Sequence, residues 1–232
     1  SISHSGVGEY MAGARVGQYA LFEGSPRGYS ACAVNNDGTS STPQYLSDPR
    51  GRCGATSLNG RAMFAGGAYT PSSPYTEYDT VDLFDENLTR TLGGKLSAAR
   101  YDLNANVVGG YAVFSENSGT TSGPNVFDVF DDSYTLIFTG NLIEPRYNIK
   151  TIDAGDYIMF TGGGEAVWPY SSVQTVTYMD SALTQTVGEP MQLGRQDHGL
   201  ASNSKYVVLA GGNWHNTSNA QYTNGVEAYL IG

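Results

Sequence analysis

Five short segments of this chain resemble one another, and the residues around them recur at fixed distances. The segments are YALFEG (residues 19–24), RAMFAGG (61–67), YAVFSEN (111–117), YIMFTGG (157–163) and YVVLAGG (206–212). Each is a short apolar run ending in small residues. An Arg stands fourteen residues before the last large apolar residue in four of them: Arg50 before Phe64, Arg100 before Phe114, Arg146 before Phe160 and Arg195 before Leu209. Gly8 holds the corresponding place before Phe22. Eleven residues before each Arg stands a Thr (Thr39, Thr89, Thr135, Thr184), and four before each Thr an Asn or Asp (Asn35, Asp85, Asp131, Asp180). The Arg-to-Arg steps are 50, 46 and 49 residues, and only the stretch after the small residues varies in length. A period of this size means stacked copies of one supersecondary unit.

Each unit holds four strand-like pieces. In the third unit they fall at 102–108, 111–115, 125–130 and 135–141, separated by turn signals such as Gly109-Gly110 and Asp131-Asp132-Ser133. No unit contains a helical period, which rules out a parallel βαβ array. Four strands in about 47 residues match a propeller blade. The expected fold is therefore all-β: one domain over residues 1–232, a five-bladed β-propeller with blades at roughly 8–49, 50–99, 100–145, 146–194, and 195–232 together with 1–7. The last unit stops in register with a third strand, and residues 1–7 fall where a fourth strand ends. The N-terminal strand is thus expected to close the ring and cover its open edges.

The apolar strands ending in Gly66-Gly67, Gly162-Gly163 and Gly211-Gly212, the Arg before each first strand, and the pieces VDLFD, FDVFD and VTYMD resemble kelch repeats along the whole chain. The resemblance implies four-stranded kelch-like blades and says almost nothing of function. Kelch units usually carry a Trp after the third strand, which these units lack. The narrower likeness is to the degenerate kelch-like arrays of bacterial and phage surface proteins. The copper chemistry known on some kelch propellers needs a Cys-Tyr-His set whose spacing is absent here.

The formal net charge is −10, with 12 Lys and Arg that form no cluster. Nucleic acid is excluded as a partner on that ground, because affinity for it rests on neutralising phosphates. No apolar run approaches the roughly 18 residues of a membrane span, so membrane insertion is not expected. The start shows neither a basic stretch nor an apolar core, and without an initiator Met it reads as trimmed or processed. Cys32 and Cys53 are too few for a disulfide framework; two buried thiols or one disulfide are both open. No cofactor or metal is expected, since two Cys alone do not make a zinc site. The sequons at Asn87 and Asn216 leave the compartment open, with an extracellular or virion surface favoured.

In a propeller the turns between the second and third strands share a face with the blade-to-blade connections. Here these are the long, variable loops: 23–28, 69–78, 118–124, 164–172 and 213–223. They carry Tyr75, Tyr78, Trp168, Tyr170, Trp214, His215 and Tyr222, including both tryptophans of the chain. Aromatics with polar tips suit binding surfaces, sugar sites among them. The expectation is a non-catalytic module that recognises a glycan or protein ligand through this face. The alternative is a five-bladed glycoside hydrolase using two carboxylates near the axis, with Glu9, Asp102 and Asp197 as candidates. Against it, Asp102, Asn148 and Asp197 share one repeat position, two after the Arg, as recurring turn residues do. The recurrence of the Arg itself favours a structural role, bonding backbone carbonyls or a neighbouring carboxylate. No Ser-His-Asp or Cys-His constellation is legible around His4, His198 and His215, and His198 reads as a satisfied core residue.

Overall fold

The computed structural model describes residues 11–23, 30–41, 44–69, 74–116, 125–165, 171–216 and 219–231. These residues contain strands and turns and no helix. The first sheet runs β1 (Ala12–Val16), β2 (Tyr19–Glu23), β3 (Ser30–Asn35) and β4 (Gln44–Tyr45). The second sheet contains β5 (Gly54–Leu58) and β6 (Arg61–Ala65), then β9 (Val81–Phe84) and β10 (Arg90–Leu92). Between its middle strands lies a separate ribbon, β7 (Ala68–Tyr69) with β8 (Thr76–Glu77). The third sheet is β11 (Leu103–Val108), β12 (Tyr111–Glu116), β13 (Val126–Phe130) and β14 (Leu136–Asn141). The fourth is β15 (Lys150–Ala154), β16 (Tyr157–Thr161), β17 (Val176–Asp180) and β18 (Gln185–Val187). The fifth has three described strands, β19 (Gly199–Ser202), β20 (Tyr206–Ala210) and β23 (Val226–Leu230), with the ribbon β21 (Asn213–Asn216) and β22 (Asn219–Tyr222) set between the last two.

Within these sheets each strand pairs antiparallel with the next strand of its own sheet along the chain, so each sheet is a meander in which successive turns alternate between two ends. The expected strands of the third unit agree with β11 to β14 to within a residue at each end. The two ribbons were not expected; they occupy loops that vary in length.

The chain divides into two compact units, Ser1–Glu116 with Asp128–Thr139, and Asn117–Phe127 with Gly140–Gly232. Within the first unit, one core joins Val16, Leu21 and Ala33 to Ala62, Phe64 and Phe84, and another joins Met63, Val81 and Leu83 to Leu103, Phe114 and Phe130. Phe64 and Phe84 meet edge to face at 5.9 Å, as do Phe114 and Phe130 at 5.7 Å. In the second unit, Ala154, Met159 and Val176 pack on Val207 and Leu209. The second sheet thus buries both faces, Phe64 and Phe84 toward the first sheet and Met63 and Leu83 toward the third, which is why its middle strands read as near-continuous apolar runs.

The D-x-x-x-T spacing is the turn from third to fourth strand. Asp131 Oδ1 accepts the backbone N–H groups of Ser133 and Thr135, both at 3.0 Å. Asp85 and Asp180 repeat that pattern. The residue before each Thr takes a left-handed conformation: Leu88 (φ 61°), Tyr134 (φ 63°), Leu183 (φ 61°), and Gly38 (φ 83°) after Asn35. An acidic side chain that bonds its own turn stabilises a backbone that would otherwise be strained.

The Gly-Gly ends have a steric cause. Gly66 has φ +65°, and a Cβ there would come within 2.5 Å of the Arg100 carbonyl oxygen. This is the close approach at which only glycine fits.

Candidate functional site on the long-loop side

The repeated arginines are built into the interior. Arg50 is 1% exposed; its Nε donates to the Gly66 carbonyl at 2.7 Å and its Nη2 to Asp82 at 2.6 Å. Arg100 pairs with Asp128, and Arg195 with Glu227 and the Gly225 carbonyl, the latter at 3.0 Å. These bonds are the structural role expected from recurrence. The acids come from one place in the third strand, directly after Val81, Phe127 and Val226. Sequence reasoning missed them, although their recurrence was visible. In the first repeat the same place holds Cys32 where the Arg place holds Gly8, so cation and anion are lost together.

The residue two after each Arg is left-handed in every described unit: Arg52 (φ 63°), Asp102 (φ 54°), Asn148 (φ 53°) and Asp197 (φ 52°). Asp102 is ion-paired to Arg52, whose Nε donates to Oδ1 at 2.8 Å. Asp197 accepts from Asn213 Nδ2 at 2.9 Å. Two of the three carboxylates of the hydrolase alternative, Asp102 and Asp197, are therefore left-handed residues with side-chain partners, and the third, Glu9, lies outside the described residues.

His198 is only half satisfied. Its Nε2 lies 2.7 Å from the Thr161 hydroxyl, while its buried Nδ1 has no hydrogen-bond partner. Burial, with Arg195 and Lys150 nearby, pushes its pKa down to about 4. Cys32 and Cys53 are free and buried. Burial raises the pKa of both thiols, Cys53 well above the usual range. Among the described residues no group of three or more His, Cys, Asp or Glu is placed to hold a metal ion, and no helix is long and apolar enough to cross a membrane.

The loop aromatics take different positions. In the first unit Tyr75 is 46% exposed and meets Tyr101 edge-on at 6.2 Å. Arg52 sits over the Tyr101 ring at 4.6 Å, and Arg50 lies 5.9 Å from the Tyr78 ring. Tyr78 is thus a half-buried packing partner of the arginine row, whereas Tyr75 offers an accessible ring. In the second unit Tyr222 is 88% exposed on β22 and His215 lies on β21. Trp168 and Tyr170 lie outside the described residues.

Trp214, on β21, lines a cavity of about 670 Å³. The other walls come from the loop before β17 (Ser172 to Thr175), from the connection after β18 (Gly188 to Gly194), and from Glu144 before β15. These are second-to-third-strand loops and connections between sheets, joined by Val176 at the start of β17 and Val187 at the end of β18, at the end of the meander on which the long loops were expected to gather. Backbone bonds fix the loop roots: Gln196 and Asn213 exchange N–H···O bonds at 2.8 and 2.9 Å, as do Tyr147 and Gly164 at 3.1 and 2.9 Å. The volume falls within the range of small-molecule sites. A smaller cavity of about 380 Å³ lies among Tyr157, Tyr178 and Leu230, at the short-turn end, and holds no residue singled out from the sequence.

Sheet after sheet of four antiparallel strands, each packed on the next within its unit, defines a β-propeller-like all-β protein. Comparison with solved structures agrees. The chain is similar to 281 solved chains; one is the structure of YjhT, with a TM-score of 0.72 and 13% identity over 95% of this chain and 81% of that one. At that identity the likeness speaks for the fold alone. No family model and no curated protein matches the chain.

Proposed function

We propose that this chain is a non-catalytic binding module, a kelch-like five-bladed propeller that recognises a glycan or protein ligand through its long-loop face. The observation that carries the reading is the cavity of about 670 Å³ beside Trp214, walled mainly by long loops and inter-sheet connections, with Val176 and Val187 at the ends of β17 and β18. The commitment of Asp102 to Arg52 and of Asp197 to Asn213 supports binding over hydrolysis. The experiment is a glycan array and a protein pull-down with wild type and Trp214→Ala. Truncating a central interface aromatic costs about 2 kcal/mol or more, some thirty-fold in affinity. The variant should lose its ligand while melting stays nearly unchanged. Normal binding by Trp214→Ala would remove this face as the site.

In the same reading, residues 1–7 complete the fifth sheet and close the ring. Support comes from β23, which among the described residues pairs only with β20 and exposes Val226 and Leu230. An open apolar edge of that kind is normally covered. Deleting residues 1–7 should lower stability by a few kcal/mol, the scale of several strand hydrogen bonds and their packing. Identical melting of the truncated chain would refute closure.

A further inference from the structure

The arginine row follows one rule and breaks it once. Arg50, Arg100 and Arg195 each donate to a carboxylate of the third strand: Asp82, Asp128 and Glu227. In β17 the same place is Thr177, directly after Val176. Arg146 is as buried as the others, yet it meets only the Thr177 hydroxyl at 3.2 Å and the Phe160 carbonyl at 3.3 Å on that side. Its charge is answered by Glu144, two residues earlier, at 3.3 Å. In the other units that earlier place holds Asp48, Ala98 or Leu193. Arg50 reaches Asp48 only through its backbone carbonyl, at 3.5 Å.

Glu144 lies on the wall of the cavity that Trp214 lines, and its side chain is 42% exposed. Among the described residues it is the only ionisable side chain of that wall; the other polar side chains are those of Ser172, Thr175, Gln174 and the Trp214 indole. Where the internal ion pair is missing, the buried cation is thus turned toward a carboxylate that borders open space. Scaffold residues repeat because every sheet packs alike. A departure from the repeat at the cavity is what a ligand site requires.

We propose, resting on the binding reading above, that Glu144 accepts the hydroxyls of a neutral pyranose ring held against Trp214, with Arg146 as the positioning residue for Glu144. A carboxylate offers two acceptor oxygens in one plane, matched to a pair of adjacent hydroxyls. The indole supplies a flat apolar face for the C–H side of the ring. A carboxylated or sulfated ligand would meet the charge of Glu144 in a partly desolvated site and be repelled.

The test uses the full chain and an array of neutral hexose and N-acetylhexosamine oligosaccharides beside uronic and sulfated ones, with calorimetry on the hits. Wild type should bind neutral oligosaccharides. Glu144→Gln should weaken them tenfold or more, and Thr177→Asp several-fold. The second variant alters no wall residue; it restores the carboxylate found in β9 and β13 and so draws Arg146 inward, with melting held or raised. That combination separates positioning from a purely structural role. Binding restricted to acidic oligosaccharides, or neutral binding untouched by Glu144→Gln, overturns the proposal. A protein ligand lost with Trp214→Ala, and no glycan bound, overturns it too while the long-loop reading stands. If the glycan binds equally well to Trp214→Ala, both fall.

Discussion

Glu23→Gln should gain stability over wild type as pH rises from 5 to 8. Glu23 ends β2, fully buried; its Oε1 accepts the Cys53 N–H at 3.2 Å and its Oε2 has no hydrogen-bond partner. Burial pushes its carboxyl up to about 7 from its ordinary 4.5, against the lowering effects of the Cys53 N–H and of Arg50. The folded state therefore favours the protonated form. Below pH 4.5 both states are protonated and the group is neutral to stability. Between 4.5 and 7 the unfolded chain ionises first, so stability falls as pH rises, and above 7 the penalty is constant. The gap between the two values corresponds to roughly 3 kcal/mol. Glutamine keeps the acceptor for Cys53 and has no charge to bury. Any fixed cost of its amide is independent of pH, so the slope is the measurement. Urea unfolding of both proteins at pH 5, 6, 7 and 8 should show the variant's relative stability growing by about 2–3 kcal/mol. A difference that stays constant to within about 0.5 kcal/mol over that range would refute the reasoning.

Asp82→Asn should cost about 3–5 kcal/mol in urea unfolding, because it leaves Arg50 buried without its counter-charge; a loss below about 1 kcal/mol would show that Arg50 finds another partner. Gly66→Ala should destabilise far more than Gly110→Ala: both are left-handed, but a Cβ at Gly110 meets nothing within 4 Å, whereas at Gly66 it meets the Arg100 carbonyl. Equal melting of the two variants would contradict the steric argument. His198, with its pKa near 4, should stay neutral at pH 5 in NMR titration. Its folded value lies below the ordinary 6.5, so stability is lost as pH falls from 6.5 toward 4, opposite in sign to Glu23, and His198→Asn should remove that slope. A His198 titration near 6.5 would refute this.

The repeat alone determined the four-stranded units, the positions of most strands, the acidic turn between third and fourth strands, and the interior role of the arginines. These features recur because each sheet meets the same neighbours, and a constraint imposed several times on one chain leaves a period that can be read. Asp102, Asn148 and Asp197 were legible as recurring turn residues for the same reason, though their left-handed backbone was not. The acids opposite the arginines were equally periodic and went unread, since an Asp inside an apolar strand looks like a surface residue until its partner is seen. Trp214 was singled out by its place in a variable loop, but the tertiary structure alone placed it on a cavity wall and Tyr78 against Arg50. Glu144 carries no sequence signal: it matters only because Thr177 fails to hold Arg146, and because residues 144, 172–176 and 214 are brought to one cavity wall. Glu23 is likewise an ordinary strand-end acid until packing seals it beside Cys53. Repetition writes the scaffold into the sequence, whereas a site is made where distant loops converge and the repeat is broken, which only the folded chain decides.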